Sequence, residues 1–376
     1  MADSSGHMAE PKCVYFGKCG GCSFQHIDYP AQLENKQKTL FNAINYSGIK
    51  VFSGNEYSYR NRMDMVFHPG GIGFREKGTW KRVVDVEKCE VSNLKLNQLI
   101  SEIRDFFGNG IDSFDLVKHN GTFRYAVIRS PENDSAVSFV LNADSSQLDS
   151  AIEKIKEFSK RTSANSILVA RVPKNSDVSI SPDYFVVKGP ESISETFQDK
   201  KFNFPVQGFF QNNYAMASEM HSYVNCLLKK HETNDAHLLD LYAGVGTFGI
   251  INSALFKDVK IVESEGPSIE CAKKNLEENK INNAEAIALD AKYLKRIAPE
   301  KPLFVITDPP RSGMHPKTMQ HLNELKPEVI FYVSCNANQL GKDLPKFRDY
   351  EIKSAALFDL FPQTPHFESV VELALR

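Results

Sequence analysis

The segment YPAQLENKQKTLFNAI (29–44) puts Leu33, Leu40, Phe41 and Ile44 on one stripe, with Pro30 in the first turn, which predicts an amphipathic helix. From about residue 57 to residue 91 the period shortens. RMDMVFHPGGIGFREKG reads as strand broken by glycines, and FRYAVIRS, AVSFVLNA and SILVARV continue the strand signal, with a helix over about 148–158. That region is expected to be mainly antiparallel sheet. Beyond Val206 the apolar runs HLLDLYAG, VKIVESE, AEAIALD, PLFVITDPP and VIFYVSCN alternate with helical stretches, and SVVELAL comes last. Such alternation predicts an α/β unit, a mostly parallel sheet covered by helices on both faces. Ligands of open sheets bind beyond the carboxyl ends of the strands. Tyr242, Glu263, Asp290, Asp308 and Cys335 all fall at or just after those ends.

These changes of pattern divide the 376 residues into 9–56, 57–205 and 206–376, and MADSSGHM (1–8) reads as an expression-vector remnant. The net charge of −2 supplies no global basic field, although a local basic face would not show in that sum. No apolar stretch is long enough to span a bilayer and the first residues lack a signal-peptide pattern, so a cytoplasmic protein is expected. Seven cysteines without a secretory signal argue for metal binding or catalysis over a disulfide framework.

DLYAGVGTFG joins a strand to a helix, where Gly244 and Gly246 allow a tight turn and a close approach to a ligand. Glu263, 23 residues after Asp240, ends the next strand and could accept hydrogen bonds from both hydroxyls of a ribose. The pair suggests an adenosine-containing ligand. CVYFGKCGGC spaces Cys13, Cys19 and Cys22 as C-x5-C-x2-C, and Cys89 follows in VEKCEV. Four such thiols would suit either a structural zinc or an iron–sulfur cluster. Cys226 and Cys271 lie in helical stretches and read as core or half-buried helix residues.

In this order, DLYAGVGTFG, DPPRSGMHPK, VSCNANQLGKDL and DLFPQTPHFESV resemble the motifs of the RNA uracil-5-methyltransferases. GFFQNN, CVYFGKCGGC and YRNRMDMVF extend the resemblance over nearly the whole chain. It implies a Rossmann-like class I methyltransferase domain that uses S-adenosylmethionine, preceded by an iron–sulfur module and a central β-rich, RNA-binding domain. Position by position, it implies that Gln211, Tyr242, Glu263 and Asp290 contact S-adenosylmethionine, with Asp308 between cofactor and uracil. It implies a 4Fe-4S cluster on Cys13, Cys19, Cys22 and Cys89, zinc being the alternative. It also implies a form lacking the β-barrel that many relatives carry before the first cysteine.

The implied chemistry explains the remaining motif residues. C5 of uracil is too weak a nucleophile to take a methyl group unaided, but a thiolate added at C6 gives C5 carbanion character. A base must then remove the C5 proton before the thiolate can leave. Cys335 fits the nucleophile and Glu368 the proton acceptor, as the resemblance also implies, with Arg311 as an electrostatic helper for the thiolate. His366 reads as structural. The target uridine must be single-stranded or flipped out, and Arg60, Arg62, Phe209 and Phe210 are candidate RNA contacts. A uridine of 23S ribosomal RNA is favoured over one of transfer RNA, and a monomer is expected. Two other readings are an amino-group methyltransferase, whose D-P-P motif continues with an aromatic residue where Arg311 stands, and a non-catalytic, cluster-bearing RNA-binding protein.

Overall fold

The computed structural model describes residues 8–108 and 110–376; residues 1–7 of the segment expected to be a vector remnant lie outside them. Helix α1 (Tyr29–Ile44) has Pro30 in its first turn and stops at Asn45, whose left-handed φ of 51° lets its amide close on the Phe41 carbonyl. Its buried face differs from the expected stripe. Gln32, Lys36, Leu40 and Ile44 turn inward at i, i+4 spacing, whereas Phe41 is 41% exposed. The apolar pattern missed this face because half of it is polar.

A central sheet combines β2 (Arg62–His68), β3 (Gly71–Arg75), β4 (Val83–Asp85), β5 (Phe123–Arg129), β6 (Ala136–Asn142), β7 (Ser166–Val172) and β8 (Tyr184–Lys188) in the order β4-β3-β2-β5-β6-β7-β8. All neighbours are antiparallel except β6 and β7, which α3 (Leu148–Ser159) joins as a crossover. Helix α2 (Leu94–Phe107) is capped by Asn93, which accepts the Leu96 amide at 2.8 Å. Its Leu96, Leu99, Ile100 and Ile103 share one core with Phe67, Phe139 and Phe158.

The boundaries at 56/57 and 205/206 do not coincide with the packing. Strand β1 (Ile49–Phe52), which lies just after α1, pairs in parallel with a strand of the C-terminal sheet. The hairpin of β9 (Ser192–Phe197) and β10 (Lys200–Pro205) buries Ile193, Phe197, Phe202 and Phe204 in the C-terminal core, so 192–205 packs with the C-terminal unit. Both segments carry strand-period patterns, and period alone does not say which sheet a strand will cover.

The C-terminal sheet contains β11 (His237–Leu241), β12 (Asp258–Glu263), β13 (Ala284–Ala288), β14 (Leu303–Thr307), β15 (Val329–Ser334), β16 (Tyr350–Phe358) and β17 (Glu368–Leu375), in the order β1-β16-β17-β15-β14-β11-β12-β13. Only β17 runs against its neighbours. Helices α4 (Tyr214–Leu228), α5 (Thr247–Asn252) and α6 (Gly266–Glu278) contribute to one core, while α7 (Pro316–Leu325), α8 (Ala337–Asp343) and α1 contribute to another. Strand order reverses at β11, flanked by β12 and β14, which is where such sheets open a crevice.

Candidate active site

The crevice starts at Tyr242, which holds a left-handed φ of 57°, a costly conformation for a residue with a side chain. Gly244 and Gly246 come next at φ 55° and 84°, and a Cβ on Gly246 would press on Ile261 and Ile250 at 3.2 and 3.3 Å. The loop therefore lies directly against β12. At the end of that strand, Glu263 accepts the Gly244 amide at 2.9 Å with one oxygen and the Ser264 and Glu265 amides at 2.6 and 2.8 Å with the other. Asp290, after β13, accepts the Lys292 amide at 3.0 Å and pairs with its ammonium at 2.7 Å, which holds the carboxyl below the usual range. The Tyr242 hydroxyl accepts the His315 amide at 3.3 Å.

A cavity of about 60 Å³ opens beside this loop, lined among others by Phe209, Gln211, Tyr242, Gly244, Thr247 and Asp308. Beneath the loop, buried Asp240 accepts the Gly249 amide at 2.7 Å with one oxygen, and its other oxygen has no partner. Burial pushes that carboxyl up to about 8. Glu263 and Asp290 do not line this cavity; each is held by backbone amides at the end of its own strand, with further carboxylate lone pairs able to accept hydrogen bonds.

The second half of the site depends on strand direction. Because β17 is antiparallel to β15, its first residue lies at the same sheet edge as the last residue of β15; Ser369 is paired with Ser334 and donates from Oγ to its carbonyl at 3.0 Å. Glu368 and Cys335, from sequence positions well apart, thereby share one edge. Burial, then Glu368 and Asp308, push the half-buried Cys335 thiol up to about 11, while Arg311 acts in the opposite direction. The Arg311 carbonyl accepts Asn336 Nδ2 at 3.0 Å, which ties the DPPR loop to the residue after Cys335. Burial raises Asp308 to about 7, and burial with Asp308 raises Glu368 well above the carboxylate range. A thiol beside two carboxyls that readily hold protons can exchange its proton locally. His366 is held toward its neutral form by burial and by Arg311, Lys36 and Arg60.

Cys13, Cys19, Cys22 and Cys89 line a separate cavity of about 370 Å³, and all are free and half-buried. Burial raises the first three thiols, Cys22 to about 11, and neighbouring cysteine thiolates raise them further. The Gly21 amide points at Cys19 Sγ at 3.4 Å. This donor set suits a thiolate-bound metal group in kind. Among the described residues, no three His, Cys, Asp or Glu side chains are grouped closely enough to hold a single metal ion. The segment is stitched to the central sheet, where Cys19 bridges Glu76 and the Gly20 amide donates to the Arg75 carbonyl at 3.0 Å.

The four RNA candidates separate by packing. Phe209 is 63% exposed at the mouth of the crevice. Phe210 is buried and stacks on Phe204 at 4.0 Å and Phe197 at 5.7 Å, so its ring offers no face to a base, contrary to expectation. Arg62 is forked onto Asp64 at 2.9 and 3.0 Å, which occupies the guanidinium expected to contact RNA. Arg60 is partly buried and donates from Nε to the Arg62 carbonyl at 2.8 Å. Sequence reasoning overlooked Gln32 and Lys36, which hold Gln363 and Asp359 of the loop before Glu368; FPQT, inside the fourth motif, was the available signal.

The strand order, the single antiparallel strand and the glycine loop with carboxylates on the next two strands define a nucleoside-binding α/β transferase domain of the class I methyltransferase type. A family model described as tRNA (uracil-5-)-methyltransferase matches residues 28–376, and the chain belongs to that family. It is 33% identical to the tRNA (uracil(54)-C(5))-methyltransferase of Pyrococcus abyssi, over 99% of this chain and 88% of that protein. The Pyrococcus horikoshii enzyme of the same name is 34% identical, over 96% and 85%. Among solved structures, the P. abyssi tRNA (uracil-54, C5)-methyltransferase in complex with S-adenosyl-L-homocysteine matches with a TM-score of 0.79 and 31% identity, covering 95% of this chain and 86% of that one. None of the helices among the described residues is long and apolar enough to cross a membrane.

Proposed function

We propose that this chain, a cytoplasmic monomer, methylates C5 of uracil 54 in transfer RNA, with S-adenosylmethionine supplying the electrophilic methyl group. The observation that carries the reading is the burial of Cys335, Glu368 and Asp308 against one another at the edge that also holds the glycine loop. The names of the relatives support transfer RNA over the ribosomal RNA favoured from sequence. Gln211, Tyr242, Glu263 and Asp290 would hold the cofactor, with Gly244 and Gly246 admitting it. Asp308, poised near neutrality, takes the thiol proton as Cys335 Sγ bonds to uracil C6. C5, now carbanionic, takes the methyl group; Glu368 removes the C5 proton, and the C6–sulfur bond breaks to return the thiolate. Arg311 favours that thiolate. Phe209 and Arg60 would contact the flipped nucleotide.

The four remaining motif cysteines would hold a 4Fe-4S cluster that staples the N-terminal segment to the central sheet, with zinc as the alternative. What supports the reading is the one cavity of about 370 Å³ that all four thiols line. Iron and sulfide are expected in protein purified without air, and zinc in their place would reverse the assignment. The methylation is tested with transfer RNA carrying 5-fluorouridine at position 54. A denaturant-resistant adduct should form with the wild type and none with Cys335→Ala; the absence of any wild-type adduct would refute the mechanism. Adduct formation on ribosomal RNA alone would refute the substrate.

A further inference from the structure

The chain between β16 and β17, residues 359–367, leads into Glu368 and is held by other parts of the protein at almost every turn. Lys36 of α1 donates from Nζ to Asp359 Oδ1 at 2.7 Å and to the Phe361 carbonyl at 3.1 Å, with the two side chains only 1% and 0% exposed. One turn earlier, Gln32 makes a reciprocal pair with Gln363. Gln32 Nε2 donates to Gln363 Oε1, and the Gln363 amide donates to Gln32 Oε1, each at 3.0 Å. The Gln363 carbonyl accepts the amides of Ser23 and Phe24, both at 3.0 Å, directly after Cys22. From the other side, Tyr59 donates to the Pro362 carbonyl at 2.9 Å and Asn213 to the Leu360 carbonyl at 3.1 Å.

Two features make this network more than packing. Gln363 has φ 68°, a left-handed conformation that is costly for a residue with a side chain and persists only where its surroundings over-determine it. Lys36 and Asp359 form a buried ion pair, and burial outweighs their mutual attraction, pulling the lysine pKa down and the aspartate pKa up. Such a pair adds little net stability compared with apolar residues of similar volume, so geometry is the better reason for its presence.

We propose that Gln32, Lys36 and Gln363 are positioning residues that set the course of loop 359–367, and thereby the approach of Glu368 to the C5 proton. The amides of Ser23 and Phe24 extend the same fixation to the cysteine segment. The inference rests on the proposed roles of Cys335 and Glu368. Cys335 and Asp308 directly follow β15 and β14, and none of the hydrogen bonds that hold this loop reaches them. Loosening it therefore leaves the Sγ–C6 and C5–methyl bonds able to form, but the C5 proton is not removed and the Sγ–C6 bond cannot break. Methylated RNA then stays bonded to Cys335.

Gln363→Gly suits the left-handed backbone and deletes the side-chain bonds to Gln32 and to Glu56 Oε2, the latter at 3.2 Å, while keeping the backbone amide that donates to Gln32 Oε1; Lys36→Met breaks the ion pair and Lys36→Arg preserves it. Each is assayed with unmodified transfer RNA for methyl incorporation in one turnover, for denaturant-resistant adduct and for released product, alongside its melting temperature. The expected result for Gln363→Gly and Lys36→Met is near-normal single-turnover methylation, accumulated adduct and release slowed by about tenfold or more, with Lys36→Arg largely restored. Methyl transfer and release falling by one common factor in folded Gln363→Gly, or neither changing, overturns the proposal. Gln363→Gly decides the matter if Lys36→Met fails to fold. If wild type on 5-fluorouridine RNA gives no adduct, the roles of Cys335 and Glu368 fail first, and the proposal with them.

Discussion

Two groups of thiols in this protein are pushed upward by burial, and their neighbours differ. Around Cys335 stand two carboxyls that burial raises above their usual range, with a guanidinium opposing their field. Around Cys13, Cys19 and Cys22 stand other thiols, Cys89 among them. Ionising one thiol in the quartet makes the next harder to ionise, a cost that a bound cationic group relieves. At Cys335 the proton has a local acceptor and can return. In the proposed roles, one residue type serves two chemistries, separated by whether the neighbours accept protons or compete to lose them.

The strongest way to break this comparison is to remove the acceptor. Glu368→Gln should lower turnover by about 10²–10⁴-fold while still allowing the adduct on transfer RNA to build up, measured by denaturing gel. Loss of the adduct as well would make Glu368 something other than the final base. A smaller effect is expected at the quartet. Cys22→Ser should lose bound iron and destabilise the fold by more than the ~1 kcal/mol typical of a point substitution, read by metal analysis and thermal melting. The pH profile of Cys335 alkylation should not move in that variant.

The finest test concerns Arg311. Because the folded-state pKa of Cys335 is raised to about 11, its thiolate fraction and alkylation rate should climb with pH throughout the neutral and mildly alkaline range. Arg311→Leu removes a lowering influence, so the profile should shift to higher pH by about one unit, with slower labelling at any fixed neutral pH. Glu368→Gln removes a raising influence and should shift it down. Mass spectrometry of the Cys335 peptide reads both, and an unmoved profile in Arg311→Leu would remove that residue from the account.

Much of the C-terminal fold was legible because each buried parallel strand is a continuous apolar run, and a polar residue ending such a run marks the ligand edge. Tyr242, Glu263, Asp290, Asp308 and Cys335 could be placed along that edge from pattern alone. Tertiary structure decided what pattern does not encode. The reversed direction of β17 brings Glu368 to Cys335, and the same run of residues in a parallel strand would place it at the opposite edge. Packing turned Phe210 into core and left Phe209 exposed, though the two are adjacent in an identical context. It also buried Gln32 and Lys36 on a helix face that their polarity assigned to solvent. Local sequence specifies which residues seek burial, whereas strand direction and the satisfaction of buried polar groups depend on partners hundreds of residues away; Gln32 and Gln363 are 331 apart.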